Sequence, residues 1–137
     1  MTNFFHLEIY TPQKIYYQKD INSLSLITDE GQITILAHHA DLISNVLISH
    51  IVINENGHVN YYATSGGVVN VHQKDNKVIL VLETIEEKNE IDVTRATKAK
   101  ENAEIRLKEK LSNREQAKAE IKLKRALNRI SLYNRDK

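Results

Sequence analysis

Val78-Ile79-Leu80-Val81-Leu82-Glu83-Thr84-Ile85-Glu86-Glu87-Lys88-Asn89-Glu90-Ile91-Asp92-Val93-Thr94-Arg95-Ala96 holds the point where the chain changes character. Up to Leu82 the run is β-branched and apolar, as a buried strand is. From Asp92, a good helix N-cap, the pattern switches to a three-to-four-residue repeat: Val93, Ala96, Ala99, Ala103 and Leu107, closed by Leu111. Composition breaks at the same place. Residues 1–86 hold four Lys, no Arg and nine acids, a charge of −5, whereas residues 87–137 hold fifteen Lys plus Arg and nine acids, a charge of +6. All four Gly, the only Pro and all six His precede the break. Two structural units are expected, 1–87 and 88–137.

Before the break the chain reads as short strands between turn residues. Phe4 to Tyr10 stops at Thr11-Pro12; Asn22 to Thr28 ends at Asp29-Glu30-Gly31; Gln32 to Leu36 alternates again. Val46 to Ile53 and Val59 to Thr64 flank Asn54-Glu55-Asn56-Gly57, where Asn-Gly accepts the positive φ of a hairpin turn. Val68 to Val71 and Lys77 to Leu82 follow, separated by Asp75-Asn76. Regular short strands predict an antiparallel β-sandwich or barrel. After the break, Ser112 or Asn113 caps a second helix whose row is Ala119, Leu123, Ala126 and Ile130, flanked by Leu127. A short link between two helices predicts an antiparallel hairpin with a thin, Ala-rich interface. The expected fold is α+β, an N-terminal antiparallel β-sandwich followed by a C-terminal α-helical hairpin.

Several chemistries find no support. The 137 residues contain no cysteine, so disulfides, thiolate metal sites and cysteine nucleophiles are excluded. No apolar run approaches the roughly 20 residues of a membrane span. Met1 to Ile15 lacks a basic segment followed by an apolar core, so no secretory signal is expected. His38-His39 are adjacent on an extended chain and point apart, with no ligand cluster around them, so no metal site is expected. Ser65-Gly66-Gly67 lacks the Gly-x-Ser-x-Gly elbow and reads as a tight turn. The fifteen cations after the break are interleaved with acids at helical spacing, such as Glu104 with Lys108 and Glu120 with Lys124. This favours a solvated face, or one seeking an acidic protein or phosphate, over a nucleic-acid reader. No catalytic constellation is expected, and no cofactor is required.

Four stretches in register then resemble the epsilon subunit of the F-type ATP synthase. Gly31-Gln32-Ile33-Thr34-Ile35-Leu36-Ala37-His38-His39-Ala40-Asp41-Leu42 is similar to the family's Gly-Glu-[Leu/Ile]-Gly-Ile-Leu-Pro-Gly-His-x-Pro-Leu. Ala63 to Val71 resembles Ala-Val-Ser-Gly-Gly-Phe-x-Glu-Val, Ile91 to Ala96 the helix start Ile-Asp-x-x-Arg-Ala, and Arg125 to Ile130 the closing Arg-Ala-x-x-Arg-[Leu/Ile]. Ala37, His38 and Asp41 depart from Pro, Gly and Pro, and Gln32 and Asn70 each replace an acid.

The resemblance implies a non-catalytic central-stalk rotor subunit that couples rotation to ATP synthesis and ion transport. It implies docking on the gamma subunit and the c-ring, with Gly31, Gln32, His38 and His39 as the ring-facing loop. It implies a mobile hairpin that inhibits ATP hydrolysis, with Lys118, Lys122, Arg125 and Arg129, one face of the second helix, against an acidic segment of the beta subunit. ATP as a regulatory ligand maps onto Glu86, Ile91, Asp92, Arg95, Arg125 and Arg129, with Asn102 where ATP-binding relatives carry a further Arg. Membrane contact is expected only through the complex, on the cytoplasmic face of the bacterial plasma membrane. The alternative is a stand-alone ATP-sensing or nucleic-acid-binding adaptor.

Overall fold

The structure is a computed structural model, and it describes residues 3–135. The chain divides after Glu87 into two units.

The first unit holds ten strands: β1 Phe5–Tyr10, β2 Ile15–Ile21, β3 Ser23–Thr28, β4 Gly31–Ile35, β5 Leu42–Val46, β6 Ser49–Glu55, β7 His58–Thr64, β8 Gly67–His72, β9 Lys77–Leu82 and β10 Ile85–Glu87. They run in the order β10-β7-β6-β3-β5-β8-β9-β1-β2, with β4 on β3. The pairing bends at β3, where Ser23 to Ser25 face β6 while Thr28 alone pairs with Val46 of β5. Two layers result, β10-β7-β6-β3-β4 and β5-β8-β9-β1-β2. Alternation decides what lies between them: Leu7, Ile9, Val69, Val78 and Leu80 from one layer meet Leu24, Leu26, Ile51 and Ile53 from the other. Every pair is antiparallel except β1 with β9, which run parallel. The sandwich is therefore not purely antiparallel.

Turn chemistry follows the sequence closely at two places. Asn56 and Gly57 have φ of 52° and 86°, the positive pair of a type I′ hairpin turn between β6 and β7. Ser65-Gly66-Gly67 is a pinned turn: Gly66 N–H donates to Thr64 Oγ1 and Thr84 Oγ1 donates to Ser65 Oγ.

The second unit opens with a 3₁₀ turn, Lys88–Glu90, followed by α1 Val93–Leu107 and α2 Asn113–Tyr133. Asp92 caps α1 by accepting from Arg95 N–H at 3.1 Å. Ser112 caps α2 in a capping box, with Glu115 N–H donating to Ser112 Oγ and the Glu115 carboxylate accepting from Ser112 N–H. Ala96, Ala103, Ala119 and Ala126 are buried, while Ile105, Ile121 and Leu127 are exposed. An alanine methyl contributes about 0.8 kcal/mol where a leucine contributes about 1.5–3 kcal/mol, so the seam is close but lightly glued. None of the helices is long and apolar enough to cross a membrane among the described residues.

Candidate functional site

The two helices of the second unit enclose a groove of about 610 Å³. Ala99, Ala103, Ala119 and Ala126 line it, and their small side chains let the helix backbones approach. Its walls carry five cations, Arg106 from α1 and Lys118, Lys122, Arg125 and Arg129 from α2, against one carboxylate, Glu115. Helical period explains the α2 row: steps of four, three and four keep these residues on one side.

Arg106 closes the turn end of the groove. Its guanidinium donates to Glu109 at 3.1 Å and to Glu115 at 2.7 Å, tying the last turn of α1 to the first turn of α2. The Ser112 hydrogen bonds, with Arg106 beside them, hold the Glu115 carboxyl below its ordinary range. The side chains of Lys118, Lys122 and Arg125 make no hydrogen bond or ion pair among the described residues.

Arg125 and Arg129, expected both for ATP and for the beta subunit, thus share one groove with Lys118, Lys122 and Asn102. Of the six expected ATP positions, only these two line it. The other ATP positions do not line the groove. Asp92 is the cap of α1, Arg95 is exposed one turn in, Ile91 is buried, and Glu86 lies in β10 of the first unit. Arg106 went unnoticed in the sequence, although its place in the last turn of α1, opposite the start of α2, is the available signal. The expected Glu104–Lys108 and Glu120–Lys124 pairs do not form: Glu104 pairs with Lys100 at 3.9 Å, and Glu120 accepts from Gln116 at 3.2 Å.

In the sandwich, Gly31 and Gln32 begin β4, whereas His38 and His39 follow its far end. The rest of the strand, Ile33 to Ile35 at about 3.3 Å per residue, followed by Leu36 and Ala37, separates the two pairs. The 36–41 loop is braced from several sides. His38 N–H donates to Asn76 Oδ1 at 2.8 Å, Gln73 Nε2 donates to His38 O at 3.0 Å, and Gln73 N–H donates to Asp41 Oδ1 at 2.8 Å. His39 Nδ1 donates to the Ala40 carbonyl at 2.7 Å. His38, with φ 63°, occupies the left-handed conformation where the resembling motif has Gly.

The outward face of β1, β2 and β9 carries a polar network that sequence reading missed. His6 lies 3.0 Å from Asp20 and 3.1 Å from Glu8, Tyr10 O–H donates to Glu8 at 2.7 Å, and Lys77 lies 3.4 Å from it. The Tyr10 hydroxyl, with His6 and Lys77, holds the Glu8 carboxyl below its ordinary range, and Glu8 pushes the Tyr10 phenol up. The i, i+2 spacing of His6, Glu8 and Tyr10 was the available signal. Beside this network Val68 and Val81 stand opposite each other, with Ile43 on the adjoining strand β5; their exposures are 40%, 55% and 72%.

A β-sandwich followed by an Ala-seamed, basic helical hairpin defines a two-part chain. Residues 4–88 match the family described as ATP synthase, Delta/Epsilon chain, beta-sandwich domain, and residues 89–134 match its long alpha-helix domain. The chain belongs to the ATP synthase delta/epsilon chain family. The ATP synthase epsilon chain of Ruminococcus albus is 38% identical over 131 residues, covering 96% of this chain and 97% of that one. That of Bacillus cytotoxicus is 35% identical over 130 residues, covering 95% and 96%. The fold is also that of a chain in the Euglena gracilis mitochondrial ATP synthase OSCP/F1/c-ring assembly, with TM-score 0.80 at 19% identity over 93% of this chain and 80% of that one. A chain of the Tetrahymena thermophila central stalk and c-ring gives 0.69 at 15% identity, over 94% and 96%.

Proposed function

We propose that the chain is the epsilon subunit of an F-type ATP synthase, a non-catalytic part of the central stalk. The observation that carries this reading is full-length similarity to epsilon chains, spanning both sandwich and hairpin. The sandwich docks on the gamma subunit and the c-ring and passes rotation between them. The exposed Ile43, Val68 and Val81 favour such docking, because apolar side chains standing together outside a filled core gain from being covered. Membrane association comes through the complex, at the cytoplasmic face of a bacterial membrane.

The hairpin is the regulatory arm. Its lightly glued seam leaves a small free-energy gap between a folded and an extended form, which a ligand or partner can tip. Extended, the basic face of α2 meets an acidic segment of the beta subunit and slows ATP hydrolysis. Folded, the groove holds ATP through Arg125 and Arg129, whose forked guanidiniums suit phosphate. In the antiparallel register that brings Arg106 to Glu115, the first turn of α1, with Asp92 and Arg95, faces the last groove cations. ATP binding to the folded form alone stabilises it by about 2.7 kcal/mol at a hundredfold excess over Kd. Because Lys118 and Lys122 share the groove with the arginines, ATP and the beta segment compete for one surface.

A tagged chain expressed in its host and purified with native membranes tests the assignment. Mass spectrometry is expected to find gamma, beta and c subunits with it. Recovery without gamma, or with nucleic acid at moderate salt, defeats the reading and favours the adaptor alternative.

A further inference from the structure

The groove is longer and more charged than a mononucleotide requires. From Lys118 to Arg129 is eleven residues, about 16 Å of helix at 1.5 Å per residue, and an extended triphosphate covers roughly half of it. Cations line the whole length, and Arg106 adds a fifth at the turn end. The side chains of Lys118, Lys122 and Arg125 form no ion pair among the described residues. Lys118 with Lys122, and Arg125 with Arg129, are like charges four apart on one helix, a spacing at which they repel. A single polyanion along the row would relieve that repulsion and release bound counterions together. The one carboxylate, Glu115, is tied to Arg106 and Ser112 and sits at the closed end, so it limits the track without interrupting it.

The geometry points to a linear polyphosphate as a ligand of the hairpin groove, a run of more than three phosphoryl groups lying along α2. The phosphoryl groups nearest Arg125 and Arg129 occupy the positions of a nucleotide's phosphates. The further ones reach Lys122, Lys118 and, at the end, Arg106. The Ala99 to Ala126 stretch, floored by methyl groups, favours a thin chain over a peptide, whose side chains need width. The shared chemistry is the phosphoryl run, whether free as inorganic polyphosphate or carried on a nucleoside. This inference goes beyond ATP binding and uses residues that ATP binding does not need.

Calorimetry of the full-length chain tests it, with inorganic tripolyphosphate, medium-chain inorganic polyphosphate, adenosine tetraphosphate, ATP and an oligoglutamate of matched charge. Polyphosphate is expected to bind at least tenfold tighter than tripolyphosphate, with a steeper loss of affinity as salt rises. Adenosine tetraphosphate tighter than ATP would show that the nucleoside-carried form also fits. The double variant Lys118→Gln/Lys122→Gln is expected to lose most of the polyphosphate gain while changing tripolyphosphate affinity less than threefold. Both residues are exposed, and a circular dichroism spectrum of the variant verifies the fold. Equal affinity for tripolyphosphate and polyphosphate overturns the proposal, as does a gain that survives the double variant. Oligoglutamate binding as tightly as polyphosphate also overturns it and assigns the groove to an acidic protein segment. ATP heat without a polyphosphate gain leaves the nucleotide reading standing and removes this one; a polyphosphate gain without ATP heat does the reverse.

Discussion

At Gly67 a Cβ would stand 2.0 Å from the Val81 carbonyl oxygen and 2.8 Å from Leu82 Cα. Both neighbours are backbone of β9, held by the β8–β9 ladder, and cannot give way cheaply. Gly67→Ala is expected to destabilise the sandwich by about 2–3 kcal/mol, read as a lower urea midpoint at unchanged slope. His38 is the opposite case. Its φ of 63° costs a residue with a Cβ about 1 kcal/mol, while the braces on its backbone N–H and carbonyl do not depend on the side chain. His38→Gly is therefore expected to be more stable than His38→Ala, which keeps the strained φ without the imidazole, by about 1 kcal/mol in the same assay. Glu115 supplies a pH dependence. Its folded-state pKa is lowered, so its stabilising contribution to the hairpin is full above about pH 4.3, the unfolded value, and is lost as pH falls through the folded value. Carbon-detected NMR is expected to show Glu115 titrating below the ordinary glutamate range.

The elements of the second unit were legible because local chemistry determines them. Asp92 and Ser112 are good cap residues standing before helical repeats, and both cap. Glu115→Ala removes the capping box and the Arg106 tie together, and is expected to loosen the link between the helices, seen as faster proteolysis near residues 108–112. Ala103→Leu is expected to force the seam apart and reduce helicity by circular dichroism, since overpacking costs about 1–3 kcal/mol. Three strands escaped the sequence reading for physical reasons. β2 is a mostly exposed edge strand, Ile15-Tyr16-Tyr17-Gln18-Lys19-Asp20-Ile21, without clean alternation. Of β5 only Val46 is read, as the start of a strand running to Ile53, because the turn Leu47-Ile48 is apolar and has no Gly or Pro; Leu47 N–H donating to Ile27 O and Ser49 Oγ donating to Leu47 O make the bend instead. β10 has three residues and depends on pairing with β7, which is tertiary information.

For the molecule as a whole, the break in charge and composition near residue 87 coincides with the division into two units. The first unit has its own core from Phe5 to Ile85. A chain ending at Glu87 is accordingly expected to retain a β-type circular dichroism spectrum and a cooperative melt. The candidate site was half legible. The α2 row at 118, 122, 125 and 129 follows from helical period alone. Its union with Asn102 and Arg106 in one groove depends on how α1 and α2 align, which no spacing within either helix reveals. The central claim is a division of labour, with assembly carried by the sandwich and restraint of hydrolysis by the hairpin. It is tested most directly by reconstituting an epsilon-depleted ATP synthase with the full chain or with residues 1–87, then measuring ATP hydrolysis and proton-driven synthesis side by side. The account predicts equal incorporation, synthesis largely retained and hydrolysis raised several-fold with the truncated chain. Failure of the truncated chain to incorporate, or hydrolysis identical with both chains, would contradict it.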